Sequence, residues 1–326
     1  MAKEKKKKTR TPLNSSELTG WTRTRLGYKL NFQKNWDTYL LILPLLIYFI
    51  IFRYAPMYGV QIAFRKYRAA DGIRGSQWVG LANFKRFFSN YQFKQIIRNT
   101  LTLSFMGLLL GFLPPIIFAL LLNQMDNGKF RKLVQTISYL PHFISTVVMV
   151  SILFVFLSPT SGPLNKLIEF FGGEARNFMG SPTLFPWVYV LSGIWQGMGY
   201  SAIIYIASLT SVSPEYYEAA MVDGASKFQR MIHIDIPFLV PMITTMFILS
   251  AGRIMSIGYE KTFLMQTPLN ISASEIISTY VYKVGLINSD FSYSAAVSLF
   301  NNVINLILIL TVNWITRRMS RENALW

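Results

Sequence analysis

Six runs in this chain are long and apolar enough to cross a bilayer, and that constrains its fold more than any motif does. A hydrocarbon core of about 30 Å is crossed by about 20 helical residues. The runs are 37–58, 99–123, 133–157, 184–209, 238–259 and 291–316, and neither 99–125 nor 291–316 holds a charged residue. Pro44, Pro114, Pro115 and Pro141 lie within them. Neighbouring helices can satisfy the carbonyls that proline frees, so the assignment stands. Trp36, Trp187 and Trp314 fall near run ends, as interface belts require. The expected fold class is an all-α membrane protein with six transmembrane helices. The first run is too long for a cleaved leader and lacks a small-residue cleavage site.

Composition agrees. Hydrophobic residues make up 52% of the 326 and charged residues 14%, where a soluble domain carries roughly a quarter. The net charge of +17 would suggest nucleic acid in a soluble protein, but here its placement decides. Residues 1–36, beginning "MAKEKKKKTR", read as a basic tail that orients the chain and touches anionic lipid; no nucleic acid is expected. With the N-terminus inside, eighteen of the 32 Lys and Arg are cytoplasmic, thirteen are external, and Arg253 falls inside the fifth run. The positive-inside rule then places both termini in the cytoplasm.

The first outer segment works against that rule. Residues 53–98 hold Arg53, Arg65, Lys66, Arg68, Arg74, Lys85, Arg86, Lys94 and Arg98 against a single acid, Asp71. One reading is a cationic mouth that steers an acidic cargo. The other is that "FKRFF" and "FKQIIRNTL" lie amphipathically at the interface, with their bases on lipid phosphates.

Cysteine is absent, which excludes disulfides, thiolate zinc sites and thiol nucleophiles within the chain. His142 and His233 are far apart, and no GxGxxG, P-loop or GxSxG pattern occurs. Nothing reads as an enzyme or as a cofactor or metal site.

Between the fourth and fifth runs lies an amphipathic island, "SPEYYEAAMVDGASKFQRMIHIDIPFLVP". Ser213 suits an N-cap and Pro214 the first helical position. Glu215 and Glu218 sit where a helix dipole favours acids. Gly224 ends this helix. A second short helix follows, with Phe228, Met231 and Ile232 on one face, and Pro237 is expected to stop it. An ordinary connecting loop is the plainer reading, but long structured loops are more often functional. Two short helices tied to two spans make a docking element on the cytoplasmic side.

The island resembles the EAA loop of permease subunits in binding-protein-dependent ABC importers. Glu218, Ala219, Ala220, Asp223, Gly224, Ala225, Ile234, Ile236 and Pro237 match its pattern, with Ile236 where Leu is usual. "VGLANFKRFF", "QTISYLPHFIS", "IWQGMGYSAIIYIASL" and "TYVYKVGLINSDFSYSAAVSLF" extend the resemblance to the carbohydrate-uptake branch, and within it to permeases for complex oligosaccharides of alginate or rhamnogalacturonan type. The resemblance implies a type I ABC importer permease fold in a bacterial plasma membrane. A six-span permease domain would cover 37–316 with its coupling loop at 212–237, followed by a cytoplasmic tail at 317–326. It also implies partners: a second six-span permease subunit, two cytoplasmic ATPase subunits that use ATP and Mg, an external solute-binding protein and an oligosaccharide substrate. The coupling residues it implies are Glu218, Ala219, Ala220, Asp223, Gly224, Ala225, Ile236 and Pro237.

Candidate contacts along a substrate path are polar and aromatic residues within spans: Trp195, Gln196, Tyr200 and Tyr205 in the fourth, and Arg253 in the fifth, with Tyr259 and Glu260 at its outer end. A charge inside a span marks a functional site by default; a buried ion pair or a snorkelling position is the alternative, and for the aromatics it is interhelical packing. Gly107, Gly111, Gly193, Gly197 and Gly199 would allow close helix approach. Two rivals are a permease of the same superfamily with a peptide or amino-acid cargo, and an ion-coupled secondary transporter. The sugar-branch segments argue against the first. The second would show intramembrane acids or inverted repeats and leaves the island unexplained.

Overall fold

The computed structural model describes residues 35–319. Most of the basic tail at 1–36 and most of the tail at 317–326 lie outside the described residues. The chain divides into two compact units, the first ending at Val60 and the second beginning at Gln61.

The first unit is one apolar helix. α1 (Trp36–Phe49) runs into a π turn at Ile50–Tyr54 and a short α turn at Ala55–Met57. Pro44 is accommodated inside α1, and Arg53 lies in the π turn. No residue of these three segments is buried. A helix apolar all round with its Leu and Ile exposed is built for lipid or for a partner surface.

The second unit begins with the outer segment. β1 (Arg65–Lys66) and β2 (Gln77–Trp78) form a two-stranded antiparallel hairpin, a small exception to the all-α expectation. α2 (Ala82–Phe88) follows, with Phe87 buried in a cluster with Ile96, Tyr280 and Tyr293. α3 (Phe93–Asn123) runs unbroken through Pro114 and Pro115. α7 (Phe185–Leu209) lies along α3, and the two bury Ile116, Leu120, Ala202 and Tyr205 between them and α9 (Lys227–Ala251). α12 (Phe291–Met319) carries the last run.

The third run departs from expectation. It is two helices, α4 (Gly128–Tyr139) and α5 (Thr146–Phe156), bent by 97°. Pro141 sits in a 3-10 turn at Leu140–Phe143, Ile144 is extended, and the Ser145 hydroxyl caps α5 by accepting from Val148 N–H. Proline and a fresh N-cap together restart the helix on a new axis. Among the described residues five helices are long and apolar enough to cross a membrane, and the number is six when the bent pair is counted as one broken span. Between α5 and α7, α6 (Pro163–Phe170) is a short amphipathic helix.

The fifth run also differs. Pro237 does not stop the island's second helix, which continues as α9 to Ala251. The π turn at Met231–Asp235 explains this: Ile236 N–H bonds Met231 O, five residues back. The widened turn admits a ring that would clash in an α-helix. At its other end α9 stops at Ala251, and Arg253 lies in the turn beyond it rather than within a span. Gly252 accounts for the close approach there, since a Cβ on it would stand 2.8 Å from Ile309 of α12. α10 (Tyr259–Met265) and α11 (Ile277–Tyr282) complete the second unit.

Candidate functional site: coupling island and cavity

α8 (Pro214–Val222) is the island's first helix, with Ser213 at its N-cap position and Pro214 at its start. The Ser213 side chain makes no capping bond, so the dihedral preference of Pro214 and the early Glu215 carry that end. The far end is a Schellman motif. Ala225 N–H bonds Ala220 O at 2.8 Å, and Gly224 N–H bonds Met221 O at 3.1 Å. This turn requires the left-handed φ of +78° at Gly224. The next turn restarts with a capping box, Ser226 with Gln229.

Glu218, Ala219, Asp223, Gly224, Ile236 and Pro237 are exposed, and Ala220 and Ala225 half-buried. Around them Tyr216, Met221, Val222 and Phe228 hold apolar surface open to solvent, Val222 at 88%. The island is tethered from below. Asp235 is fully buried and accepts from Tyr217 Oη (2.5 Å), Asn123 Nδ2 (3.2 Å) and Gln124 Nε2 (2.6 Å). Lys227 pairs with Asp126 and donates to Gln124 O at 3.2 Å. Burial, and next its bond to Asp235, push the Tyr217 hydroxyl up to about 12, so it stays a donor at any physiological pH.

A cavity of about 940 Å³ opens among α3, α7 and the segment from Met246 to Lys261. Of the candidate path residues, Gln196, Tyr200, Tyr205 and Arg253 line it; Trp195 and Tyr259 do not. Tyr259 instead stacks on Tyr282 at 5.1 Å, and Trp195 is exposed away from the cavity. Gln196 and Tyr200 also clasp the bent third span. Gln196 Nε2 donates to Ile144 O (2.9 Å), a carbonyl freed by the break, and Tyr200 stacks on His142 at 3.8 Å. Gly199 lets that bend close, because a Cβ there would stand 2.1 Å from Ser138 O. Gly107, Gly111, Gly193 and Gly197 line the cavity instead of serving tight helix contacts.

The sequence reading missed Lys261, which it assigned to an outer loop. Its Nζ donates to Tyr189 O at 2.7 Å and lies 4.6 Å over the Tyr189 ring. Burial pushes it down to about 8. Among the described residues that line the cavity, Arg253 and Lys261 are the only charged ones.

The cationic segment 53–98 is partly committed to structure. Arg65 donates to Ser76 O (2.8 Å) and holds the hairpin under Trp78. Arg86 pairs with Asp290 at 2.6 Å over the Tyr293 ring. Lys66, Arg68, Lys85, Lys94 and Arg98 are exposed.

Residues 115–321 match the family described as "Binding-protein-dependent transport system inner membrane component". The chain is 43% identical over 300 residues to the polygalacturonan/rhamnogalacturonan transport system permease protein YteP of Bacillus subtilis (strain 168), covering 92% of this chain and 93% of that protein. It also resembles a solved bacterial ABC transporter involved in the import of the acidic polysaccharide alginate, with a TM-score of 0.82 and 36% identity over 90% of this chain and 99% of that one. A second crystal structure, of a bacterial alginate ABC transporter in complex with an alginate pentasaccharide-bound periplasmic protein, matches with a TM-score of 0.81 and 36% identity, over 89% of this chain and 97% of that one.

Proposed function

The chain belongs to the binding-protein-dependent transport system inner membrane component family, the multi-pass membrane permeases of ABC importers, and from that premise we propose that it forms one half of the path of an ATP-driven oligosaccharide importer. It is a permease and not an enzyme. The observation that carries the proposal is the island: an exposed helix pair, fixed in angle by the Gly224 turn and bolted by Asp235 to the ends of α3 and α9. That is a surface shaped to receive force. A cytoplasmic ATPase seats on Met221, Val222 and Phe228, with Glu218 and Asp223 beside them. The partner hydrolyses ATP with Mg; this chain holds no cofactor. Both termini and the island face the cytoplasm of a bacterial cell.

A second six-span permease subunit closes the cavity opposite α3 and α7. An external solute-binding protein delivers cargo to the outer segment, and rocking of one bundle against the other alternates access. The cargo is an oligosaccharide bearing uronate groups. Arg253 and Lys261 supply positive charge, no carboxylate of the described residues lines the cavity, and the exposed Tyr200 offers the ring face not stacked on His142. The names of the related proteins, for polygalacturonan, rhamnogalacturonan and alginate, support the same cargo class.

The test is reconstitution of the chain with its partners in liposomes. ATP-dependent uptake of an oligogalacturonate, lost when this chain or the ATPase is omitted, is the expected result. Uptake by this chain alone, or uptake that persists without ATP, overturns the reading.

A further inference from the structure

The Asp235 carboxylate is an unusual group to keep where it is. It is fully buried, and it sits beside the C-terminal end of α3, where Asn123 is the last helical residue and Gln124 the cap. A helix dipole is negative at that end, so an anion there is disfavoured. Its three donors come from side chains, and none of them is charged. An apolar side chain would fill the space without this electrostatic conflict.

What the carboxylate achieves is topological. The island is covalently continuous with α7 and α9 only. α3 is far away in sequence, yet it forms one wall of the cavity from Leu103 to Pro115. Asp235 gathers Tyr217 of α8 and Asn123 and Gln124 at the foot of α3 onto one acceptor at the base of α9. Asn123 Nδ2 also lies 3.3 Å from Tyr217 Oη, closing the ring of contacts. The Lys227–Asp126 pair braces the same corner from outside.

We propose that Asp235 is a positioning residue for coupling: its carboxylate joins the island to α3, so that a push on the island moves α3, α7 and α9 together. This rests on the reading of the island as the ATPase dock. Without the joint, the island would swing on α7 and α9 alone, α3 would lag, and ATP would be spent without opening the cavity.

The readout is the number of ATP molecules hydrolysed per cargo molecule imported, measured in the complete transporter in liposomes with a labelled oligogalacturonate loaded on the binding protein. A purely structural residue lowers the amount of active complex, but leaves that ratio unchanged in what survives. Asp235→Asn keeps an oxygen for Tyr217 and Asn123, which share Oδ1, and turns an amide donor on the Gln124 amide that donates to Oδ2. It should raise the ratio about tenfold, within the ~5–150-fold span of ordinary site-to-site coupling. The exchange Asp235→Asn with Gln124→Glu restores a donor opposite an acceptor and should bring the ratio back towards the parent. Tyr217→Phe removes one donor to Asp235 and the acceptor of one Asn123 N–H while leaving the carboxylate in place, and should raise the ratio less.

An unchanged ratio in Asp235→Asn overturns the proposal, as does an exchange variant no better coupled than the single one. If Asp235→Asn fails to assemble, Tyr217→Phe decides, and a parental ratio there overturns the joint. The dock itself is checked separately. The chain has no cysteine, so Val222→Cys in the otherwise unaltered complex gives a single site for crosslinking to the ATPase. Absence of that crosslink overturns the docking reading and the joint with it; its presence beside an unchanged ratio overturns the joint alone.

Discussion

Substitution of Gly224 separates backbone conformation from contact. Its φ of +78° lies in the left-handed region, where a Cβ costs about 1–2 kcal/mol. An added Cβ would meet no atom within 4 Å, so no steric penalty adds to that cost. The bonds from Ala225 to Ala220 and from Gly224 to Met221 depend on this turn, and they set the angle at which the second helix leaves. Gly224→Ala should therefore lose about 1–2 kcal/mol of docking-competent conformation, a factor of roughly 5–30. Gly224→Val, with its stiff χ1, falls at or beyond the top of that range. Gly224→Asn should lose least, because asparagine visits the left-handed region, although its side chain is larger than that of alanine. The assay is ATPase affinity for the reconstituted permease pair, together with cargo-stimulated hydrolysis. The binding protein's own affinity for cargo is unaffected, since it is another chain. Losses ordered by side-chain size, or normal stimulation in assembled Gly224→Val complexes, would refute the reasoning.

Four further outcomes are expected. Arg253→Gln and Lys261→Gln should each reduce uptake of an oligogalacturonate about tenfold while sparing a neutral oligosaccharide of equal length; equal losses on both cargoes exclude a charge-reading role. Lys261, held down to about 8 by burial, loses its proton as pH rises through that value. Uronate uptake should fall there, and the fall should be absent in Lys261→Arg; Tyr189, Tyr200, Tyr205 and Arg253 are the other ionisable groups lining the cavity. In the outer segment the informative variant is Lys66/Arg68/Lys85→Gln, because Arg65 and Arg86 are structural. It should slow uronate uptake at low salt and matter little at 0.15 M and above, where the screening length is about 8 Å. Finally, Gly199→Ala should cost about 1–3 kcal/mol of thermal stability, because its Cβ would strike Ser138 O. Gly197→Ala meets nothing within 4 Å and serves as the control.

Much of the molecule was legible because lipid imposes a simple rule. Runs of twenty apolar residues have few alternatives to a helix, and α3, α7 and α12 lie close to where composition puts them. The island was legible for another reason. Ser-Pro-Glu at its start and Gly after Val-Asp are local backbone chemistry that survives in any tertiary setting, and the Schellman turn lies at the expected glycine. The third run was harder to read: Pro141 and Ser145, which restart the helix on a new axis, are tolerated inside a span, so the 97° break at Leu140–Ser145 read as one span even though its first half is amphipathic. Pro237 misled in the opposite direction. Proline stops an α-helix by steric clash and a missing donor, and a π turn placed just before it removes the clash. Lys261 was invisible because its value lies in what folds over it: the Tyr189 ring and carbonyl come from a helix about seventy residues away in sequence.

The polar contacts of the cavity show why path and scaffold were hard to tell apart. Gln196 and Tyr200 line the space, yet each also holds the bent third span, Gln196 by capping Ile144 O and Tyr200 by stacking on His142. This half-buried bond contributes about 0.5–1.5 kcal/mol to the bend, which Gln196 would give up in turning to a sugar hydroxyl. Among the charged groups of that wall, the guanidinium of Arg253 and the N–H groups of Lys261 not bonded to Tyr189 O stay uncommitted. In the path proposed above, Arg253 and Lys261 present charge, and the amide and aromatic groups set the wall against which that charge stands. The division matches the folding: the residues that hold the bend sit on regular helix, and Arg253 sits in the turn that ends α9, where Gly252 pins the backbone against α12 and leaves the side chain exposed.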